Sequence, residues 1–215
     1  MRLTLCNGSP RGRSGNTQIL EDAFGRGFLA ASGEQETRVC VLQEPRGFQE
    51  ALEAWGEDDA VLLGFPLYAD AMPHGVKWFL ENLGARRGEH RPTLIFLVHS
   101  GFPEGIHTRL MGEYLEKAAR RLGCPCAGVL RFGGSEGIRQ GGNGKVLRRM
   151  ETLGRAFGER GSLDPEALSS LPGKDRLPSW ILGLVAWASR VFYFDRALKK
   201  NGVFDRRFHR SLERP

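Results

Sequence analysis

The sequence predicts an α/β domain, a parallel sheet with helices on both faces, followed by a helical extension of different character. Two observations carry this prediction. Short apolar runs alternate with longer segments of helical period, the pattern of successive βα units. One of those runs, Ala60–Gly64, is apolar at nearly every position, as a strand covered on both faces must be.

Five strands are expected, in order. Arg2–Cys6 leads through the polar, glycine-rich stretch Asn7–Gly15 into a helix from about Asn16, where Ile19, Leu20, Ala23, Phe24 and Phe28 share one face. Thr37–Leu42 precedes a helix around Phe48–Trp55. Ala60–Gly64 runs into the loop Phe65–Pro73 and a helix marked by Val76, Phe79, Leu80 and Leu83. Thr93–His99 and the loop Ser100–Ile106 lead to a helix with Leu110, Tyr114, Leu115, Ala118 and Leu122 on it. Ala127–Phe132 gives way to Gly133–Gly144 and a helix through Val146, Met150, Leu153 and Phe157. After Gly161 the character changes: Ser162–Pro178 carries prolines and serines, and Trp180–Phe194 is dense in apolar and aromatic residues. Residues 1–160 therefore read as the domain and 161–215 as an added element, not a sixth βα unit.

The 215 residues, 40% of them hydrophobic, suit one such domain with an appendage and need no disulfide staples. Nothing in the first twenty residues resembles a signal peptide, so a reducing, cytoplasmic setting is expected. Cys6, Cys40, Cys124 and Cys126 then read as free thiols buried as small hydrophobes. Cys124-Pro125-Cys126 has no second pair to complete a zinc site. The net charge of +6 is concentrated: residues 174–215 hold ten Lys or Arg and four Asp or Glu, which leaves 21 of each sign in residues 1–173. A neutral domain with a basic tail is not a general nucleic-acid binder, and any attraction to polyanions or membranes belongs to the tail.

In an open parallel sheet, ligands bind beyond the carboxyl ends of the strands, at the point where strand order reverses. The loop after the first strand, Asn7–Thr17, supplies hydroxyls at Ser9, Ser14 and Thr17, and its glycines, Gly15 among them, let backbone amides turn toward one point. Amides at a helix start bind an anion, and Arg11 or Arg13 would complete a phosphate cradle. The plainer alternative is a turn with Asn16 as helix cap. The loop has no Gly-x-Gly-x-x-Gly fingerprint and no Gly-Lys-Ser/Thr ending, and Gly144-Lys145 is followed by Val146 where a triphosphate loop needs a hydroxyl.

This loop resembles that of the flavodoxin-like NAD(P)H-dependent FMN reductases and quinone reductases, in its form Gly-Ser-Pro-Arg…Ser-x-Asn-Thr. The match runs position by position through Ser9, Arg11, Ser14, Asn16 and Thr17. Pro66-Leu67-Tyr68 and Met72-Pro73, followed by Lys77-Trp78-Phe79, match the loop and helix after that family's third strand. The resemblance covers about residues 1–160. It implies a doubly wound five-stranded sheet of order 2-1-3-4-5 and a homodimer. It also implies FMN held by the first loop, by the backbone at Pro66–Tyr68, and by Ser100-Gly101-Phe102. Leu67, Tyr68, Met72 and Phe102 offer the apolar walls a flat ring needs, with core packing as the alternative for each aromatic. The compact cysteine cluster of the related iron–sulfur flavoproteins is missing, so no such centre is expected.

With FMN bound, the cofactor carries the chemistry, taking a hydride from NAD(P)H and passing electrons to a small acceptor such as a quinone or flavin. No side chain need act as acid or base, and none is assigned as catalytic. Tyr68 and His99 are candidate donors to an acceptor, although a histidine closing a strand is more often structural, and His74 and His107 merit no more. The loop Gly133–Gly137, with Arg139 beyond it, is a candidate for nicotinamide or substrate contact. The rival readings are a non-enzymatic flavin electron carrier and a binding module without cofactor.

Within the extension, Trp180, Leu184, Trp187 and Val191 recur at spacings that place them on one helical face. The apolar run falls short of a spanning helix and contains Arg190. Lys199, Lys200, Arg206, Arg207, Arg210 and Arg214 follow, interleaved with Phe204 and Phe208. Packing within the protein or its dimer, peripheral contact with an anionic membrane, and another partner all stand open at this point.

Overall fold

The computed structural model describes residues 1–85, 90–140 and 144–202. Its strands are β1 (Arg2–Asn7), β2 (Glu36–Val41), β3 (Ala60–Pro66), β4 (Thr93–His99) and β5 (Cys126–Phe132). All neighbours pair in parallel, in the order β2-β1-β3-β4-β5. This is the doubly wound sheet the sequence predicts, and the chain has the flavodoxin-like fold.

The period of two in the central strand divides the core. Val61, Leu63 and Phe65 of β3 face a cluster with residues of α2 (Pro45–Ala54), α3 (His74–Ala85) and α4 (Ile106–Leu122). Ala60 and Leu62 face the other cluster, filled by Leu20, Phe24 and Phe28 of α1 (Asn16–Leu29) and by Met150, Leu153 and Phe157 of α5 (Gly144–Arg160). Helix α2 begins at Pro45, three residues before the apolar period starts, because proline suits a helix's first turn.

The first compact unit runs from Met1 to Asp175. It includes α6 (Pro165–Ser169), capped by Asp164, whose Oδ1 accepts from the Glu166 amide at 3.0 Å. Leu163 and Leu171 on either side are buried in the α1–α5 core. A second unit starts at Arg176. Its helix α7 (Ser179–Ser189) continues through a π turn at Arg190–Phe194 into α8 (Asp195–Lys200), in keeping with the expected helical extension. The tail residues Phe204, Arg206, Arg207, Phe208, Arg210 and Arg214 lie outside the described residues. Among the described residues no helix is long and apolar enough to cross a membrane, and no group of side chains could hold a metal ion.

The thiols correct one expectation. Cys6, Cys40 and Cys124 are buried, but Cys126 is exposed, because it opens edge strand β5. All four are unpaired. Burial pushes Cys40 up to about 11 and Cys6 well above its ordinary value, so both stay as inert thiols.

Helices α1 and α5 approach until backbone meets backbone. A Cβ on Gly154 would overlap the Phe24 carbonyl, whereas one on Gly84 in α3 would meet nothing within 4 Å. Gly154→Ala should therefore cost about 1–3 kcal/mol in urea unfolding through overpacking. Gly84→Ala should be neutral or stabilise by up to about 1 kcal/mol. Equal midpoints for the two variants would contradict the close packing.

Candidate functional site

The loop between β1 and α1 is built by short local bonds. Asn7, buried at the end of β1, accepts from the Ser9 amide at 2.9 Å and donates to the Gly12 carbonyl at 3.2 Å and to Gln18 Oε1 at 3.0 Å. The Gly8 amide donates to the Gly64 carbonyl of β3 at 2.7 Å. Ser9 Oγ accepts from the Arg11 amide at 3.2 Å and keeps its own proton to donate. A 3-10 turn over Gly12–Ser14 follows, with Ser14 Oγ donating to the Arg11 carbonyl at 2.9 Å. Helix α1 then starts from extended Gly15 with no side-chain cap, so the plain Asn16 cap is not what forms. The first-turn amides of Asn16, Thr17 and Gln18 have no intrahelical acceptor. Arg11 is exposed beside them, while Arg13 leans 3.6 Å from Glu44 in a surface pair of little strength.

A buried hydrogen-bond chain ties this loop to the others. Thr17 Oγ1 lies 2.8 Å from His99 Nε2, and His99 Nδ1 lies 2.8 Å from Ser135 Oγ. Ser135 donates its hydroxyl proton to the Ser100 carbonyl at 3.0 Å, so it accepts from His99, and the imidazole carries its proton on Nδ1. Nε2 then accepts from Thr17. Asn16 Nδ2 donates to the Ser135 carbonyl at 2.8 Å, and the His99 carbonyl accepts from the Leu67 amide at 2.8 Å. The loops after β1, β3, β4 and β5 thus meet at one residue. Burial pushes the His99 pKa down to about 4, and both ring nitrogens are occupied. His99 is structural and offers no donor to an acceptor, which settles the alternative left open by the sequence.

The loops after β3 and β4 present two aromatic edges. Tyr68 and Ala71 exchange backbone bonds of 3.0 Å across a tight turn in which Ala69 and Asp70 take positive φ of 48° and 60°. Such left-handed residues cost about 1–2 kcal/mol each. The turn is held by Asp70 Oδ1, 3.0 Å from His107 Nδ1 on α4. Phe102 stacks on the same His107 ring at 4.6 Å, and its amide donates to Ser100 Oγ at 3.2 Å. Tyr68 is 48% exposed and Phe102 60%, so neither is a core residue. Leu67 and Ser100 are buried, Pro66 and Met72 half-buried, and Gly101 lies against Glu136, whose Cγ would be 3.1 Å from an added Cβ. The side chain of Arg139 lies outside the described residues, and Ser135 from the same loop serves the His99 chain.

Glu21 lies one helical turn beyond Thr17, fully buried against Gly64, with neither carboxyl oxygen hydrogen-bonded among the described residues. Burial raises its pKa well above the carboxylate range, Asp22 adds to the rise, and the Gly64 backbone offsets it only weakly. A Cβ at Gly64 would collide with this carboxyl, which explains a glycine in the middle of an otherwise apolar strand. Asn16 Oδ1 is a second buried acceptor without a partner among the described residues.

No family model matches the chain, and no curated protein matches it. Solved structures do. An NADH:FMN oxidoreductase in its apo form superimposes with a TM-score of 0.57 at 18% identity, covering 81% of this chain and 96% of its own. The azoreductase AzrA gives 0.54 at 13% identity, over 73% of this chain and 100% of its own. A flavodoxin from the domain Archaea gives 0.55 at 16%, over 74% and 96%. At these identities the likeness establishes the flavodoxin-like fold.

The two perturbed groups pull stability in opposite directions. The folded pKa of His99, about 4, lies below the ordinary 6.5, so the unfolded chain binds the extra proton across that window. Stability should fall by roughly 3 kcal/mol as pH drops from about 6.5 to about 4, and His99→Gln should flatten that part of a urea-midpoint profile. The folded state instead holds the proton on Glu21, so its contribution is lost as pH rises above the ordinary carboxyl range. Glu21→Gln should raise the urea midpoint at neutral pH, and a lower midpoint would show that the carboxylate has a partner.

Proposed function

We propose that the first unit binds FMN along the carboxyl edge of the sheet and that the protein is an FMN-dependent NAD(P)H oxidoreductase delivering electrons to a small acceptor such as a quinone or free flavin. One observation carries this reading. The uncapped start of α1, with the Ser9 hydroxyl and Arg11 beside it, stands next to two exposed aromatic edges, Tyr68 and Phe102, and the loops bearing them are locked together through His99.

The residues present fit the cofactor. The amides of Asn16, Thr17 and Gln18, with Ser9 and Arg11, would hold the phosphate, and Ser14 would join by turning its hydroxyl from the Arg11 carbonyl; Thr17 serves through its amide, because its hydroxyl proton goes to His99. Asn16 Oδ1, without a partner among the described residues, is an acceptor, which suits a hydroxyl of the ribityl chain and not the phosphate. Gly15 lets the loop close, since a Cβ there would come within 2.9 Å of Ser9 Oγ. Pro66, Leu67, Tyr68 and Met72 would wall one side of the ring, and Ser100, Gly101 and Phe102 the other. Arg13 can join from its weak pair with Glu44. When bound, FMN supplies hydride and electron transfer, while the chain orients the ring and sets its polar surroundings. The reading carries a homodimer and a cytoplasmic setting with it.

Support comes from the fold's likeness to an NADH:FMN oxidoreductase and an azoreductase. A one-electron carrier is the second reading, favoured by an equal likeness to a flavodoxin. The balanced charge of residues 1–173 counts against it, because a carrier docking to protein partners gains from a strongly charged surface.

The test is the visible spectrum of the purified protein with FMN, taken without oxygen before and after NADPH or NADH. Bleaching of the bound flavin by either nucleotide is expected. Bound flavin that neither nucleotide bleaches would replace the reductase with the electron carrier. Phe102→Ala should weaken FMN binding by about tenfold through loss of ring contact.

A further inference from the structure

We propose that the second unit seats the protein on an anionic lipid surface through α7 and the basic residues that flank it. The inference rests on residues 176–202 and does not depend on flavin binding. Between Leu177 and Ser189 there is no charged residue. Helix α7 is apolar on every side, and such a helix belongs in a core or an apolar phase. Yet Trp180 is 71% exposed and Trp187 57%, and Phe192 and Phe194 beyond them are exposed as well. At about 1.5 Å per residue α7 is roughly half the length that spans a bilayer, so it can enter one leaflet without crossing, with the cations that follow it at headgroup depth.

Charge selects the occupant. Arg176 precedes the apolar stretch, and Arg190, Arg196, Lys199 and Lys200 follow it with Asp195 as the one acid among them, within the stretch 174–215 that holds the chain's whole excess of +6. A second copy of this segment would bring like charge against like charge. The rest of the chain, with 21 charges of each sign, has no acidic excess to offer it. Anionic headgroups above an acyl layer satisfy the cations and the aromatics at once. Where apolar meets basic, the Trp187 ring packs edge-on to Phe192 at 6.0 Å, and the Arg196 guanidinium sits 6.0 Å over Phe192. Aromatic rings with cations beside them are what headgroup depth favours.

The experiment sediments the full-length protein with vesicles of phosphatidylcholine, with and without phosphatidylglycerol, and follows tryptophan emission. Pelleting with the anionic vesicles alone, released by high salt and accompanied by a blue shift, is expected. Arg190→Glu with Lys200→Glu leaves the apolar helix intact and should weaken binding by about fivefold per cation removed. Trp180→Ser with Trp187→Ser should abolish it, with circular dichroism checking that the fold persists. Absence of pelleting, or equal pelleting on neutral vesicles, would overturn the proposal. So would a dimer in ultracentrifugation that the tryptophan variant dissociates while the parent ignores vesicles, since α7 would then be its interface. Because FMN is absent from every arm, failure here leaves the flavin reading untouched.

Discussion

The bonds from Thr17 to His99 to Ser135 hold the carboxyl edge of the sheet in one geometry. A buried imidazole is costly unless both nitrogens are satisfied, and here each finds a hydroxyl at 2.8 Å. The same residue's carbonyl accepts from Leu67, so side chain and backbone together bring four loops to one point. Polar loops beyond parallel strands otherwise have little in common, since each strand end is separately connected. A neutral, doubly bonded histidine gives them a shared anchor, and burial, which pushes its pKa down to about 4, keeps it neutral.

Around this anchor the edge carries features that folding alone would avoid. Among the described residues the Glu21 carboxyl is buried without a side-chain partner and Asn16 Oδ1 has none, and Ala69 and Asp70 both sit in the left-handed region. Unsatisfied groups and backbone strain of this kind gather where function opposes stability. The strained turn is not left loose: Asp70 pairs with His107, and Phe102 stacks on that same ring, so the two exposed aromatics are set relative to each other. At the opposite, amino-terminal edge of the sheet, buried Asp58 is bonded to Thr4 and paired with Arg2 and Arg38, although its Oδ1 has no hydrogen bond among the described residues.

Much of this was legible in the sequence, for physical reasons. Strands buried on both faces must be apolar throughout, so β3 and β4 stand out, and β4 runs over Thr93–His99 as the pattern indicates. The candidate loop after β1 is readable because glycines, hydroxyls and a helix start are all local features. What was hidden depends on distant partners. Nothing near His99 reveals Ser135, 36 residues on, or Thr17, 82 residues back. The role of Gly64 as room for Glu21 needs the helix and strand together, although a charged residue on the apolar face of α1 was a signal. Helix α6 escaped notice because a five-residue helix has too short a period to detect. Cys126 misled because a strand's first residue on the sheet edge need not point inward.

If the start of α1 is a phosphate seat at the end of a flavin site, calorimetric titration of the protein with FMN and with riboflavin will separate the two ligands. The two ligands share the ring and the ribityl chain and differ only in the phosphate. With charge-assisted bonds from at least two α1 amides, FMN should bind about a hundredfold or more tighter than riboflavin. Equal affinity for the two, or no binding of either, would rule out a phosphate seat at α1.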